Sequence, residues 1–561
     1  MSVVERAGAS AAARCLRSDF WGPMPSYNDG GVALHAAVDP MGGAQELFCN
    51  LVAVFRAKNT VTKTLLSRDR ATWQSAANHL ALEGRAFIGG RYVAAQSGRT
   101  FDDISPIDGR VIAQVARGEA ADIDAAVASC RATFDSGVWR TSDPKQRKRV
   151  LLRFAELIRA DIERLALLET LDVGKPIHNA INVDVASAAD CIAYYAEFAD
   201  KLYDEVAPTA PNELALIRRE PLGVIGAVVP WNYPLIISAW KLGPALLAGN
   251  SVVLKPAEQS PLGGIRLAEL AVEAGLPPGV FNVVPGFGEE AGKALALHRD
   301  VDLIAFTGST EVGKLMMRYS GDSNLKRVAL ELGGKSPQVV MADADLESAA
   351  NEIAWSIYYN SGETCHAGSR VLVQESAREA LLEGIERVAR TITLGHPFEP
   401  ATQMGALIDA RHMKRVLGYI DSGKSEGARV VFGGRQALPE TGGYYVEATV
   451  LDGVRPEMRV NREEIFGPVL AVSSFRNEHE ALERANDTIY GLAAAIWTSD
   501  MNVAHRMSNA LRGGTVWVNT YDRSSLATPF GGFKQSGFGR DRSAHAIEKY
   551  SDFKTIWTKF K

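Results

Sequence analysis

Residues 222–255 read LGVIGAVVPWNYPLIISAWKLGPALLAGNSVVLK, and this stretch decides the fold class. An apolar, β-branched run at Leu222–Val229 is followed by a helical pattern over Pro234–Leu247 and by a second apolar run, Ser251–Leu254. Strands that alternate with helices predict an α/β fold with a parallel sheet, whose ligands bind beyond the carboxyl ends of the strands. The alternation continues with helical patterns at Pro261–Ala274 and Glu289–Leu297 and apolar runs at Val280–Val284 and Leu303–Phe306.

The loops that follow these runs carry residues suited to binding a nucleotide. Lys255 and Glu258 come after the second run and could hold ribose hydroxyls. Gly286-Phe287-Gly288 follows the third run but does not complete a GxGxxG motif. After the fourth run, Ser309 opens a helix, where it could cap the helix or face a pyrophosphate. Ordinary turn chemistry accounts for each loop alone, but three such loops on successive strands favour a dinucleotide site.

The composition excludes several classes of function. The chain has 561 residues, of which 61 are basic and 66 acidic, and this balance argues against binding to nucleic acid or to anionic membranes. No run of about 18 apolar residues is present, so no membrane span is expected. The 5 cysteines are scattered without a CxxC pair, and the 10 histidines form no ligand motif. These patterns predict a cytoplasmic protein without a disulfide framework and without a bound metal.

Two later segments hold the residue types that a covalent carbonyl reaction needs. They read LELGGKSP at 330–337 and NSGETCHAGSR at 360–370, and they resemble the two active-site signatures of the aldehyde dehydrogenase family. The resemblance extends from about residue 75 to the C-terminus. Within it, Phe530–Tyr550 is most similar to the branch that acts on γ-glutamyl-γ-aminobutyraldehyde and related amino-aldehydes of polyamine catabolism. Further motifs of the family match at Pro230–Pro234, Glu464–Pro468 and Pro529–Gly532.

The resemblance implies an oxidoreductase that converts an aldehyde to a carboxylic acid through a thiohemiacetal and a thioester on Cys365. A thiolate suits this attack because it is nucleophilic near neutral pH. By resemblance, the side-chain amide of Asn232 and the backbone N–H of Cys365 stabilise the oxyanion. Glu331 activates the water that hydrolyses the thioester, and its apolar neighbours could raise its pKa. Lys241 and Asp541 match a pair thought to relay protons.

Two positions depart from the family pattern. Glu363 stands where the family usually has glutamine, and a carboxylate pointing inward would disfavour the thiolate, so we expect it to point away. Asp541 stands where the family often has glutamate, so proton release could be slower or mediated by water. His366, beside the nucleophile, is interpreted as incidental rather than catalytic.

The resemblance also implies an NAD site. Lys255 and Glu258 match the pair that holds the adenine ribose, and a carboxylate there disfavours the 2′-phosphate of NADP. Ser309 matches the pyrophosphate contact, whereas Glu464 and Phe466 match the residues at the nicotinamide ribose and ring. The other residues assigned to the cofactor are Val229, Pro230, Trp231, Gly288, Phe306, Gly308 and Leu332.

The substrate tunnel is expected, by position, to have aromatic walls that suit a medium-sized chain or a cation. Asp184 is expected to hold the ammonium group of an amino-aldehyde or γ-glutamylamino-aldehyde, the alternative being an ordinary surface charge. A general aliphatic or aromatic aldehyde dehydrogenase remains the alternative. A coenzyme-A-acylating enzyme and a catalytically silent member are rivals against which Glu331 and the intact catalytic set argue. The expected lining is Tyr233, Ile237, Trp240, Tyr521 and Phe530.

The expected architecture follows from the same resemblance: an α/β, Rossmann-type NAD-binding domain, an α/β catalytic domain and a small β flap for oligomerisation. The strand-like Thr555–Thr558 could add to a neighbour's sheet or pair within its own chain. A homodimer or homotetramer is expected. The boundaries are 1–72 for a poorly ordered N-terminal extension, 73–201 and 221–330 for the NAD-binding domain, 331–530 for the catalytic domain, and 202–220 with 545–561 for the flap.

Overall fold

The alternating runs form the centre of an eight-stranded sheet in the computed structural model, which describes residues 62–561. Val224–Val228 pairs in parallel with Ser251–Lys255 on one side and with Leu303–Thr307 on the other, as the alternation predicts. From edge to edge the strands of this first sheet are Arg91–Val93, Ala86–Ile88, Phe281–Val283, Ser251–Lys255, Val224–Val228, Leu303–Thr307, Arg327–Glu331 and Gly537–Phe538.

Helices cover both faces of the first sheet. Successive side chains of a strand point to opposite faces. Ile225 therefore packs in an apolar cluster with helix Pro234–Ala248, whereas Val224 packs in another with helix Ala120–Ser136. Burial on both faces explains why these strands read as continuous apolar runs rather than as alternating ones.

A second sheet of seven strands is built from residues 337–518. Its strands are parallel except Arg429–Phe432, which runs antiparallel to Thr449–Asp452. The strand order is Arg429–Phe432, Thr449–Asp452, Val469–Phe475, Arg370–Gln374, Pro337–Val340, Ala493–Trp497 and Thr515–Val518.

A three-stranded sheet joins two distant parts of the chain, the parts expected to form the flap. Ser551–Lys559 pairs along its whole length with Glu213–Pro221, which pairs on its other side with Glu205–Ala207. Ser551–Lys559 is therefore paired within its own chain, and its outer edge pairs with no strand among residues 62–561. Two short ribbons add Thr100–Ile104 with Val111–Ala116 and Gln436–Ala437 with Tyr445–Val446.

Side-chain caps and glycines set many of the helix ends. The Asp143 carboxylate accepts a hydrogen bond from the N–H of Lys145, and Gly174 ends another helix at a φ of 77°. The longer helices are Arg70–Asn78, Ala120–Ser136, Pro144–Ala160, Ile162–Val173, Ala186–Ala196, Pro234–Ala248, Leu262–Glu273, Thr310–Asp322, Leu346–Tyr358, Arg378–Thr391, Ala410–Ser425, Glu478–Asn486 and Met501–Ala510. The shorter helical segments include the π-helical turns Ala180–Val185 and Gly288–Gly292, together with Ile177–Asn179, Lys293–Leu297, Arg459–Arg462 and His545–Glu548.

The start of the described chain already belongs to the core. Leu65 and Trp73 are both buried in the larger apolar cluster, so packing begins before residue 73. Residues 1–61 of the expected N-terminal extension lie outside the described residues. Across residues 62–561, no helix is both long enough and apolar enough to cross a membrane.

Candidate active site

A cavity of about 940 Å³ opens beyond the carboxyl edge of the first sheet. From Val224–Val228 the chain continues to one side of the sheet, and it later returns to the other side at Leu303–Thr307. Ligands of α/β sheets bind at such a switch point. Of the residues assigned from the sequence, those that line the cavity are Pro230, Trp231, Asn232, Tyr233, Ile237, Trp240, Gly308, Ser309, Glu331, Leu332, Cys365, Glu464, Phe466 and Phe530.

The loop before Cys365 has a left-handed backbone. Asn360, Ser361 and Gly362 have φ angles of 50°, 55° and 73°. A Cβ atom on Gly362 would collide with the carbonyl group of Gly467, so glycine is required there for space as well as for its φ angle. This turn explains the Asn-Ser-Gly of the motif and brings Cys365 to the cavity wall.

Two N–H groups beside Cys365 can stabilise an oxyanion. Nδ2 of Asn232 donates one hydrogen bond to the backbone oxygen of Glu363 at 2.8 Å, which leaves its second N–H for a ligand. The backbone N–H of Cys365 has no acceptor among residues 62–561. Both residues line the cavity, so donors are in place before a substrate arrives.

Glu331 ends its strand as a buried carboxyl group without a partner. Only 4% of the residue is exposed, and neither carboxyl oxygen has a hydrogen-bond partner among the described residues. Burial raises the pKa of Glu331 well above 4.5, and the nearby Asp541 carboxylate raises it further, whereas Lys241 and Lys549 lower it. A raised pKa makes the carboxylate a stronger base, which suits a general base.

Lys241 and Asp541 form a buried ion pair outside the cavity wall. Nζ of Lys241 donates to Oδ2 of Asp541 at 2.5 Å, and Lys549 donates to Oδ1 of the same carboxylate. Although burial raises the pKa of Asp541, the two lysines lower it more, so the group is held as a carboxylate. The pair matched to the family's relay is thus in direct contact, and it acts electrostatically on Glu331.

His366 contacts the nucleophile, which its interpretation as an incidental residue did not anticipate. Its Nδ1 lies 3.7 Å from Sγ of Cys365, and its Nε2 donates to Oδ1 of Asp522 at 2.7 Å. Burial lowers the pKa of His366, but the Asp522 carboxylate outweighs this effect and raises it to about 10. A cationic imidazolium beside the sulfur favours the thiolate.

Glu363 turns away from the nucleophile, as expected. Its Oε1 accepts a hydrogen bond from the N–H of Ile408 at 3.0 Å. Burial raises the pKa of Glu363 well above 4.5, which favours its neutral form. The Glu363 carboxyl group therefore faces Ile408 and not Cys365.

The residues assigned to the cofactor lie on the loops that were expected to hold it. Ser309 caps helix Thr310–Asp322 by accepting a hydrogen bond from the N–H of Val312 at 3.2 Å, and its loop lines the cavity. Nζ of Lys255 lies 3.1 Å from the carboxylate of Glu258. Outside the cavity wall, Val229 donates its N–H to the Lys255 carbonyl, Phe306 packs against Gly308, and Gly288 begins a π-helical turn.

Glu464 and Phe466 close the cofactor side of the cavity. Oε1 of Glu464 accepts the N–H of Gly334 at 3.0 Å, and burial raises the pKa of Glu464 to about 7. Phe466 adopts a φ of 63° and packs edge-on against Trp231, with 5.3 Å between ring centroids.

The structure corrects the assignment of Asp184 to the substrate. Asp184 is fully buried and binds Nζ of Lys175 at 2.6 Å, away from the cavity lining. Successive residues of a helix are rotated by about 100°, so Val183, Ser187 and Asp190 share the face that lines the cavity and Asp184 does not.

Tyr521 is likewise placed behind the cavity wall. Its hydroxyl donates to the backbone oxygen of His366 at 2.6 Å, and its ring stacks on Trp517 with 4.5 Å between centroids. Trp517 lines the cavity instead, so Tyr521 supports the wall and does not form it.

Sequence reasoning missed several charged residues of the cavity wall, among them Asp190, Asp522 and Arg542. Asp190 pairs with Arg159 at 2.6 Å, and Asp522 pairs with His366. The position of Arg542 next to Asp541 was the one available signal, but neighbours in sequence can face different surroundings.

Comparison with known proteins agrees with this geometry. Residues 92–556 match the model of the aldehyde dehydrogenase family. Over 488 residues the chain is 51% identical to the NADP/NAD-dependent aldehyde dehydrogenase PuuC of Escherichia coli (strain K12), covering 87% of this chain and 98% of that protein.

Two solved structures are similarly close. The γ-glutamyl-γ-aminobutyraldehyde dehydrogenase of Burkholderia cenocepacia J2315 is 55% identical, with a TM-score of 0.86 and coverage of 88% of this chain and 100% of that chain. An indole-3-acetaldehyde dehydrogenase in complex with NAD+ is 54% identical, with a TM-score of 0.87 and the same coverage. The resemblance drawn from the motifs is confirmed, and the chain belongs to the aldehyde dehydrogenase family.

Proposed function

We propose that the protein oxidises an amino-aldehyde or a γ-glutamylamino-aldehyde to its carboxylic acid, with NAD as the cofactor. The observation that carries this proposal is the position of Cys365 and the unpartnered Glu331 carboxyl on one cavity with aromatic walls. The relative from B. cenocepacia is named for a γ-glutamylamino-aldehyde, which supports the substrate class.

The residues at the switch point fit NAD. Thr307 lines the cavity, and its buried hydroxyl has no partner in the described part of the chain, so a polar ligand can satisfy it. The N-terminus of helix Thr310–Asp322 suits a pyrophosphate, and Glu258 disfavours a 2′-phosphate. The relative in complex with NAD+ supports NAD, whereas PuuC is named for both NADP and NAD. NAD, when bound, takes up the hydride that leaves the substrate carbon.

The first half of the proposed reaction belongs to Cys365. Its thiolate, beside the His366 imidazolium, attacks the aldehyde carbon and makes it tetrahedral. The oxyanion that forms receives hydrogen bonds from the free N–H of Asn232 and from the backbone N–H of Cys365. Loss of hydride from this carbon leaves a thioester on the sulfur.

The second half belongs to Glu331. Its carboxylate takes a proton from water, the hydroxide attacks the thioester carbonyl, and the C–S bond breaks to release the acid and the Cys365 thiolate. Lys241 and Asp541 form the buried charged pair nearest to this proton, and we assign them its onward transfer.

The three-stranded sheet is the proposed oligomer contact. Phe553 and Trp557 lie on one face of Ser551–Lys559 and are largely exposed, which leaves an apolar patch next to an open strand edge. A homodimer or homotetramer would cover this patch. We place the enzyme in the reducing cytoplasm, which keeps the Cys365 thiol free.

The test is NADH formation, followed by absorbance, with the wild type and with Cys365→Ala. The aldehydes are hexanal, 4-aminobutanal and γ-glutamyl-γ-aminobutyraldehyde, each with NAD or with NADP. We expect activity with NAD, a higher kcat/KM for the nitrogen-containing aldehydes, and complete loss in Cys365→Ala with its thermal midpoint and NAD binding retained. Equal kcat/KM for hexanal would favour a general aldehyde dehydrogenase instead, and activity that persists in Cys365→Ala would contradict the mechanism.

A further inference from the structure

Arg542 places a guanidinium group in the substrate side of the cavity wall. The residue lines the cavity but is only 8% exposed. Its Cζ lies 4.9 Å from the ring centroid of Phe530 and 5.3 Å from that of Trp240. Its side chain is therefore held between two aromatic walls of the cavity, next to the space that a substrate occupies.

No carboxylate of the described chain forms an ion pair with this guanidinium, although Asp522 and Asp541 act on it electrostatically from a greater distance. The buried Nε of Arg542 has no hydrogen-bond partner, and no ion pair of the guanidinium is formed within residues 62–561. The acidic groups around it have cations of their own: Asp522 pairs with His366, Asp190 with Arg159, and Asp541 with Lys241 and Lys549.

A buried charge without a counter-ion is unfavourable, and burial lowers the pKa of Arg542, although a guanidinium stays protonated in proteins. The two aromatic rings offset only part of this cost. A planar guanidinium binds a carboxylate through two parallel hydrogen bonds, so an anionic ligand group would satisfy it best.

The position of Arg542 relative to the nucleophile defines the ligand. The Phe530 ring contacts both Arg542 and His366, with 5.5 Å between the centroids of Phe530 and His366. Since His366 adjoins Cys365, and Cys365 and Arg542 both line the cavity, a ligand bonded to the sulfur can extend along the Phe530 ring toward Arg542. One substrate molecule can span both if its charged group is remote from its aldehyde.

We propose that Arg542 binds a carboxylate carried by the substrate chain, remote from the aldehyde group. This inference rests on the proposed function and selects between its two substrate classes. A γ-glutamylamino-aldehyde carries an α-carboxylate that the guanidinium attracts, whereas a simple ω-amino-aldehyde ends in an ammonium group that it repels. The protein is therefore assigned to the carboxylated class.

The test compares kcat/KM for γ-glutamyl-γ-aminobutyraldehyde, 4-aminobutanal and hexanal in the wild type, Arg542→Met and Arg542→Lys. Methionine keeps much of the side-chain volume, and lysine keeps the charge but not the planar fork. For the carboxylated aldehyde we expect a loss of about 10- to 100-fold in Arg542→Met and a smaller loss in Arg542→Lys. For 4-aminobutanal and hexanal we expect no loss, because neither carries a carboxylate.

The matched control is Arg153→Met, which removes one exposed arginine outside the cavity lining and should change none of the ratios. An equal loss for all three aldehydes in Arg542→Met, with unchanged thermal midpoint, would overturn the carboxylate role and assign Arg542 to packing. A selective gain for the carboxylated aldehyde would overturn it as well. Absence of activity with every aldehyde in the wild type would instead overturn the proposed function, so the two failures are distinguishable.

Discussion

Among single residues, Glu331 separates the two halves of the proposed reaction. Its buried, unpartnered carboxyl has no role in the attack of Cys365 and is needed only for hydrolysis of the thioester. In Glu331→Gln we therefore expect a first turnover of NADH at nearly the wild-type rate. Steady-state turnover should then fall by about 10²- to 10⁴-fold, because the amide cannot take a proton.

Stopped-flow absorbance measures both phases in one experiment. Glu463→Gln, on the partly exposed Glu463, is the control and should leave both phases unchanged. Loss of the first turnover in Glu331→Gln, in proportion to the loss of steady-state rate, would contradict the assignment.

His366 is expected to increase the reactivity of Cys365 through direct contact. The imidazolium is maintained by Asp522 and lies 3.7 Å from the sulfur, so it stabilises the thiolate. In His366→Gln, alkylation of Cys365 by iodoacetamide near pH 7 should slow by about tenfold, which corresponds to about 1.4 kcal/mol.

Peptide mass spectrometry isolates the signal of Cys365 from that of the other cysteines. Burial raises the pKa of the Cys130 thiol to about 12, so that residue serves as an internal control. Asp522→Asn should act in the same direction as His366→Gln, since it removes the carboxylate that keeps the imidazole charged. An alkylation profile that neither variant shifts would show that His366 is incidental after all.

Local sequence identified some residues of the site and not others, for a physical reason. Cys365, Glu331 and Asn232 stand in short motifs that the chain itself holds in shape, such as the left-handed turn at 360–362. Asp522 lies 156 residues from His366, and only the tertiary fold brings the two side chains together. Pairs of this kind leave no signal in the sequence around either member.

Secondary-structure elements show where periodicity succeeds and where it fails. Four parallel strands of the first sheet were predicted within about two residues, because their apolar runs are bounded by turns and buried on both faces, whereas Arg327–Glu331 was not predicted. The misassignment of Asp184 has a different origin. Its position in the sequence places Asp184 near the cavity but does not indicate which face of the helix it occupies. Asp184 lies in the π-helical turn Ala180–Val185, where the usual helical spacing does not apply.

The edge strand Ser551–Lys559 is the element on which assembly should depend. Side chains alternate along a strand, so Phe553 and Trp557 share a face, and Trp557 is 60% exposed. We expect the double variant Phe553→Glu with Trp557→Glu to have a smaller mass by light scattering after size exclusion, because charges there would have to be buried on association. Thr558→Glu, on the opposite face, is the control and should keep the wild-type mass. An unchanged mass in the double variant would place the interface elsewhere.

Across the whole molecule, a buried pair of carboxyl groups couples stability to pH. Asp103 belongs to the ribbon strand Thr100–Ile104, and Asp172 belongs to a helix and accepts the N–H of Leu262 at 3.1 Å. Burial raises the pKa of Asp103 to about 7 and that of Asp172 well above 3.8. Between the ordinary aspartate pKa of about 4 and the raised pKa of about 7, the folded chain binds more protons than the unfolded chain. The free energy of unfolding therefore falls as pH rises from about 4 to about 7.

We therefore expect the wild type to lose thermal stability between about pH 4 and about pH 7, and Asp172→Asn to lose less over that range. The amide removes one of the two charges that would have to be buried together. Differential scanning fluorimetry at several pH values measures the slopes, with Asp124→Asn at an exposed site as the control. Equal slopes for wild type and Asp172→Asn would show that the pair does not govern this dependence.

Long-range topology was the level least accessible from the sequence alone. The resemblance supplied the architecture, but neither pattern nor period indicated that Gly537–Phe538 returns to the first sheet beside Arg327–Glu331. That return carries the C-terminal residues 530–550 to the cavity. A strand of two residues has no periodicity to detect.

The adjacency of Asp541 and Arg542 has a practical consequence for engineering. Asp541 faces the buried lysines, whereas Arg542 faces the substrate, and both depend on one short stretch of backbone. Residues 542 and 543 both have left-handed φ angles, near 60° and 51°, so a substitution that relaxes this turn would move Asp541 too. Libraries that diversify position 542 for new substrates should therefore be screened at more than one pH, since a variant selected at a single pH can owe its rate to altered proton transfer.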